Sequence, residues 1–91
     1  MNFKPEEIIE VGEHKSIRRD DVICEIEPHT VEDVFLEFDV DARDSVGNDF
    51  HHRFTYPKPL GKPGEFPDHD ILGKTLHVDI IEFGRAKFSL N

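Results

Sequence analysis

Residues 34–41 read Val34-Phe35-Leu36-Glu37-Phe38-Asp39-Val40-Asp41. Val34, Leu36, Phe38 and Val40 alternate with Phe35, Glu37, Asp39 and Asp41. In an extended chain the first set points to one side and the second, mostly carboxylates, to the other. A period of two marks a half-buried strand, whereas a helix would distribute the same residues around its circumference.

The same period recurs on both sides of this stretch. Val22, Cys24 and Ile26 alternate with Ile23, Glu25 and Glu27, and Pro28 is expected to stop that run. Phe50, His52, Phe54 and Tyr56 alternate with His51, Arg53 and Thr55. Leu76, Val78 and Ile80 alternate with His77, Asp79 and Ile81, and Ala86, Phe88 and Leu90 with Lys87 and Ser89. Residues 7–17 read as a further strand broken at Gly12, although Pro5-Glu6-Glu7 also suits the first turn of a helix.

Turn residues separate the runs. Residues 44–49 form a hairpin loop in which Gly47 and Asn48 tolerate positive φ. Phe83-Gly84-Arg85 is a tight reversal, and a short corner is expected between Pro28 and the run that follows His29. The predicted fold is all-β, a single domain over residues 1–91. It is a small antiparallel sandwich or barrel of five to six strands with one long Pro/Gly-rich loop. The alternative is an α+β fold with a short N-terminal helix.

The long loop spans residues 57–74 and contains four of the six Pro and three of the six Gly. It reads as a crossover between two sheets, with a binding loop carried on the rigid sheets as the alternative. Asp68-His69-Asp70-Ile71-Leu72 is expected to form one helical turn stopped by Gly73. Phe66, Ile71 and Leu72 are expected to hold the loop on the core.

Composition narrows the function. A chain of 91 residues is too short for a two-domain enzyme. With 20 Asp and Glu against 11 Lys and Arg, the net charge is −9, the wrong sign for direct nucleic-acid binding. No run approaches the roughly 20 apolar residues of a membrane helix. The first residues carry no secretory h-region, and the lone Cys24 has no partner for a disulfide, so a cytoplasmic location is expected. Cys24 sits in an apolar alternation among Asp20, Asp21, Glu25 and Glu27, which predicts a buried, unreactive thiol.

Motifs for chemistry are incomplete. Gly73-Lys74-Thr75 matches the tail of a phosphate loop, but Asp68 replaces its first glycine and a strand, not a helix, follows. Asp39, Asp41, Asp44 and Asp49 crowd one hairpin end without an EF-hand register. Counting from Asp39, the sixth position is Asp44 rather than Gly and the twelfth is Phe50 rather than Glu. Of six histidines, His51 and His52 face opposite sides of one strand, and His52 is read as a partly buried, hydrogen-bonded residue between Phe50 and Phe54. Asp68, His69, Asp70 and His77 form at most a half-site for a metal, so no metal or other cofactor is expected. Ser16, Ser45 and Ser89 lie outside any Gly-x-Ser-x-Gly motif, and catalysis is not expected. The proline-rich residues 56–63 contain no Pro-x-x-Pro register.

The charge is concentrated. Residues 1–49 hold 15 acids and 5 bases, while residues 50–91 are nearly neutral. Glu25 and Glu27 share one strand face, and Glu37, Asp39 and Asp41 another, at about 6.8 Å between alternate residues. Arg18, Arg19, Arg43 and Arg53 are expected to offset part of this charge. The expected function is a non-enzymatic acidic protein-binding module, such as an inhibitor occupying a basic or nucleic-acid-binding surface of a partner. Glu25, Glu27, Glu37, Asp39 and Asp41 form its contact row. No direct nucleic-acid or membrane partner is expected. The alternative is an assembly subunit forming a homo-oligomer through edge strands, with Phe35 and Ile81 as apolar residues on otherwise polar faces. A metal-binding protein ranks below both.

Overall fold

The computed structural model describes residues 3–59, 64–65, 67–82 and 84–91. Among the described residues there are nine strands: β1 (Glu6–Glu10), β2 (Lys15–Arg19), β3 (Val22–Val31), β4 (Phe35–Arg43), β5 (Asp49–Pro59), β6 (Gly64–Glu65), β7 (His69–Ile71), β8 (Lys74–Glu82) and β9 (Arg85–Leu90). They form two antiparallel sheets, one a meander of order β2-β3-β4-β5 and the other of order β1-β9-β8-β6 with β7 also on β8. The sheets stack as a sandwich and do not close into a barrel. Among the described residues there is no helix, and the segment from Pro5 that suited a helix start opens the strand β1.

Alternate residues of the two sheets make the core. Val22, Cys24, Ile26, Leu36, Phe38, Val40 and Ala42 come from β3 and β4, and Leu76, Val78, Ile80, Ala86, Phe88 and Leu90 from β8 and β9. Phe38 sits at the centre. Its ring stacks on Phe54 of the same sheet at 5.2 Å and meets Phe88 of the opposite sheet edge-on at 5.2 Å, the offset and T-shaped geometries that ring quadrupoles favour. Ile9 and Ile17 are also fully buried, one on each side of the break at Gly12. There the chain changes sheets: Glu13 N–H donates to Glu10 O at 3.0 Å, Gly12 adopts φ +90°, and its N–H donates to Pro28 O.

Several expectations are corrected. The described residues hold nine strands rather than five to six, partly because strand continues into the described parts of residues 57–74. That segment carries the end of β5 and the short strands β6 and β7 before β8 begins. It does cross from one sheet to the other. Asp68 to Leu72 form no helical turn; Leu72 (φ +51°) and Gly73 (φ +86°) instead make a two-residue hairpin between β7 and β8. Two successive left-handed residues match the right-handed twist of the flanking strands. Ile71 is fully buried and Leu72 packs against the core, while Phe66 lies outside the described residues.

Pro28 does not stop its run, since β3 continues to Val31. The reversal falls at Glu32 and Asp33, both with φ +55°. Val34 belongs to that turn and is 41% exposed, so the buried set of β4 runs from Leu36 to Ala42. Ile81 is 43% exposed because the β8–β9 register shifts between Ile80 and Glu82, leaving it in a bulge. His52 is exposed, its ring edge-on to Phe54 at 4.5 Å, because β5 is an edge strand whose inner face is fully buried only at Tyr56 among its described side chains.

Phe38 bridges both sheets, so Phe38→Ala is expected to cost about 3–5 kcal/mol, whereas Val46→Ala in an exposed loop should change stability by less than about 0.5 kcal/mol. Urea denaturation checks both. Burial pushes the Cys24 thiol up to about 12, so a thiol reagent at neutral pH should leave it unmodified until the protein unfolds.

Candidate functional site

The outer faces of the two sheets differ in charge balance. On the β1-β9-β8 sheet a surface depression of about 580 Å³ is lined by Lys4, Lys15, Arg85 and Lys87 together with Glu6, Glu7, Glu10 and Glu13. These charges pair among themselves: Lys87 with Glu6 at 3.1 Å, Arg85 with Glu10 at 3.4 Å, and Lys15 with Glu7 at 3.8 Å and Glu13 at 3.9 Å. Arg85 also donates to Glu82 at 2.6 Å. Four cations meet four carboxylates along its walls, leaving no net charge to attract a ligand.

The meander sheet carries a different face. Register places Glu25 directly opposite Asp41 and Glu27 opposite Asp39, while His29 stands opposite Glu37. On the other side of β4, Asp41 faces His51, Asp39 faces Arg53 and Glu37 faces Thr55. All five carboxylates expected to form a row therefore lie on one outer face, on the two central strands. A depression of about 460 Å³ runs between them, lined by Glu25, Glu27, Asp39 and Asp41 with His14 and His51 on its flanks.

The carboxylates are not equivalent. Glu37 is the least accessible, its side chain 15% exposed. It accepts from His29 Nε2 at 2.7 Å and Thr55 Oγ1 at 2.9 Å, with Arg53 Nε at 3.4 Å. These partners, the His29 hydrogen bond first, hold its carboxyl below the usual range. Asp39 takes Arg53 through Nε at 2.7 Å and Nη2 at 3.4 Å, which likewise lowers it. Asp41 accepts from His51 Nδ1 at 2.6 Å, a bond that raises His51 above its ordinary value. Glu25 has only the distant His14 at 3.9 Å. Glu27 has no ion pair among the described residues and is exposed. The outward end of the row, Glu25 and Glu27, is thus the part open to a partner.

Arg53 offsets the row as expected. Arg18 and Arg19 do not, because their Nε atoms donate to the backbone oxygens of Asp20 and Leu90. The histidines His14, His29 and His51 were not assigned to this face by sequence reasoning. The signal for His51 was present: the loop at residues 44–49 sets the register, and β5 must then bring His51, Arg53 and Thr55 beside the acids of β4. Asp44 belongs to that loop and not to a cation site. Its Oδ1 accepts from the Val46 and Asn48 amides and its Oδ2 from Asn48 Nδ2, and these bonds, the Asn48 side chain first, lower its pKa.

The half-site at residues 68–77 comes apart. Asp68 accepts from His77 Nδ1 at 2.8 Å on the outer face. His69 is in register with Leu76 and turns inward, its ring 4.2 Å from that of Phe54. Among the described residues no group of three or more His, Cys, Asp or Glu side chains is placed to hold one ion.

His51 is expected to titrate above about 6.5 in an NMR pH series and to return toward that value in Asp41→Asn. Raised in the fold, His51 adds stability that is full below its unfolded pKa and is lost as the pH rises through its raised value. Glu37 and Asp39, lowered in the fold, add stability that is present above the unfolded carboxylate range and is lost as the pH falls through their lowered values. The contribution of this network to the urea midpoint, taken as wild type minus Asp41→Asn and Arg53→Gln, should therefore be greatest between about pH 4.5 and 6.5.

Comparison with known proteins matches the chain to no protein-family model, no curated protein and no solved structure.

Proposed function

We propose that the outer face of the meander sheet is a docking surface for a protein with a basic, nucleic-acid-binding groove, and that the chain acts there without catalysis, as an inhibitor or adaptor. The observation that carries this reading is the pairing of Glu25 with Asp41 and of Glu27 with Asp39 directly across the β3–β4 ladder. Like charges opposite each other destabilise a sheet. Two such pairs on adjacent positions are a burden on the fold that a basic partner would relieve. Uniform acidity for solubility would not require them to be opposed.

A carboxylate row interrupted by one arginine presents a strip of negative potential with partial compensation at one edge. Such a strip steers a positively charged groove toward itself and raises the association rate more than it slows dissociation. The two rows, one strand spacing apart, supply acceptors where the groove would otherwise meet phosphate oxygens.

Glu37 and Asp39 are held by His29, Thr55 and Arg53, so their reversal would disturb the sheet itself; Glu25 and Glu27 are the accessible pair. In surface-resonance measurements against a panel of purified nucleic-acid-binding proteins, at least one is expected to bind with an association rate that falls steeply with salt. Its own nucleic acid should compete for the complex. Glu25→Lys with Glu27→Lys should lower that rate about tenfold or more, while Glu27→Thr should raise the urea midpoint as it weakens binding. Binding indifferent to salt and to the double reversal, or no binding across the panel, would overturn the proposal.

A further inference from the structure

Each sheet of a sandwich has two edges, and three of the four here are occupied or short. β1 and β2 lie on the same side of the molecule, where Arg18 N–H donates to Lys4 O at 2.8 Å and Lys15 Nζ donates to Ile8 O at 3.1 Å. The free side of β8 is covered by β6 and β7. The fourth edge belongs to β5, 11 residues long. Nothing among the described residues pairs with its outer side.

The groups on that edge follow from the ladder. Asp44 N–H donates to Asn48 O at 3.2 Å, so residues 44 and 48 are a hydrogen-bonded pair. The register is unbroken from Arg43↔Asp49 to Glu37↔Thr55. Bonded and non-bonded pairs alternate in an antiparallel ladder, so Phe50, His52 and Phe54 turn their backbone groups to β4. Asp49, His51, Arg53 and Thr55 direct theirs outward. The inner face of this strand is also incompletely covered: Phe50 and Phe54 are half-buried and His52 is exposed, in a ladder of rings at 4.5–6.4 Å.

We propose that β5 pairs antiparallel with β5 of a second copy of this chain, about a two-fold axis through His51, giving one continuous eight-stranded sheet across the dimer. The charges select both the occupant and the register. With the axis at His51, Asp49 stands opposite the second copy's Arg53, the pair occurs twice by symmetry, and the two His51 side chains that meet on the axis are each bonded to their own Asp41. With the axis at His52, His51 would face Arg53; with the axis at Arg53, two arginines would face each other. Opposite charges across a ladder are favourable and like charges are not. The same register sets Phe50 against the second copy's His52, twice, and covers the ring ladder that one chain leaves open. Asp49 has no ion pair among the described residues, so it is available for this contact. A strand from an unrelated protein would need its own matching charges, whereas this edge supplies both partners itself.

Sedimentation equilibrium between about 1 µM and 1 mM tests the proposal. A reversible monomer–dimer equilibrium is expected, with amide exchange at Asp49, His51 and Arg53 slowing as concentration rises. His51→Pro removes an outward N–H, a change that edge strands tolerate, together with the imidazole bond to Asp41, and should abolish the dimer while the far-ultraviolet spectrum is kept; His51→Ala, which loses only the imidazole, should still dimerise. Asp49→Lys should weaken the dimer about tenfold. A monomer at the highest concentration overturns the proposal. So does a dimer that survives His51→Pro, or one whose β5 amides exchange at the monomer's rate. If His51→Pro fails to fold, Asp49→Lys and the wild-type exchange pattern decide.

Discussion

Strand β4 imposes one constraint on two surfaces. Its even-numbered residues, Leu36 to Ala42, are the centre of the core, and its odd-numbered residues, Glu37 to Asp41, are the centre of the acidic face. Side chains in a strand alternate without slack, so a slip of one residue against β3 or β5 would carry the carboxylates inward and the Phe38 ring outward. Burial of ionised carboxylates without partners is prohibitive. The apolar contact of Phe38 with Phe54 and Phe88 therefore does more than join the sheets. It fixes the register that sets Glu25 against Asp41 and Arg53 against Asp39.

The two outer faces show different electrostatic solutions on the same scaffold. On the β1-β9-β8 face Glu6 and Glu10 of β1 meet Lys87 and Arg85 of β9, and Glu7 reaches Lys15 of β2. On the meander face acids oppose acids across β3–β4, and compensation arrives from the far side of β4 through β5 and from His29 at the turn end. Neutralisation is graded along the row, strong at Glu37 and absent at Glu27. His51, raised by its bond to Asp41, makes that grading sensitive to pH.

Much of this was legible in the sequence. Apolar alternation located β3, β4, β5, β8 and β9 and nearly all of the core, and the one broken strand read over residues 7–17 covers most of β1 and β2, because burial on one sheet face leaves a direct trace in residue order. The sharing of one face by Glu25, Glu27, Glu37, Asp39 and Asp41 was readable from the same period. Other features depend on tertiary context. Pro28 reads as a strand stop, yet β3 passes through it. Its position in the β3–β4 ladder turns its nitrogen toward β2, which has already ended at Lys15, so the missing N–H deprives no partner. The exposure of His52 depends on β5 being an edge, and sheet order leaves no mark on the strand's own residues. Asp68 to Leu72 carry both a possible helical turn and a glycine stop, and the choice of a hairpin was made by the pairing of His69 to Ile71 with β8.

The pairing of β1 with β9 has a consequence for how the chain reaches this state. Glu6 bonds alongside Ser89 and Glu10 alongside Arg85, so the first strand waits for the last. The meander from β2 to β5 needs only neighbours in sequence and can assemble early, with Val22, Leu36, Phe38 and Val40 still facing water. The opposing sheet is built from distant segments, which makes closure of that loop the slow event. During synthesis on the ribosome, residues 15–59 emerge as a half-sandwich whose oily side has no cover until β8 and β9 follow, and that interval is when the chain is most open to aggregation or to a chaperone.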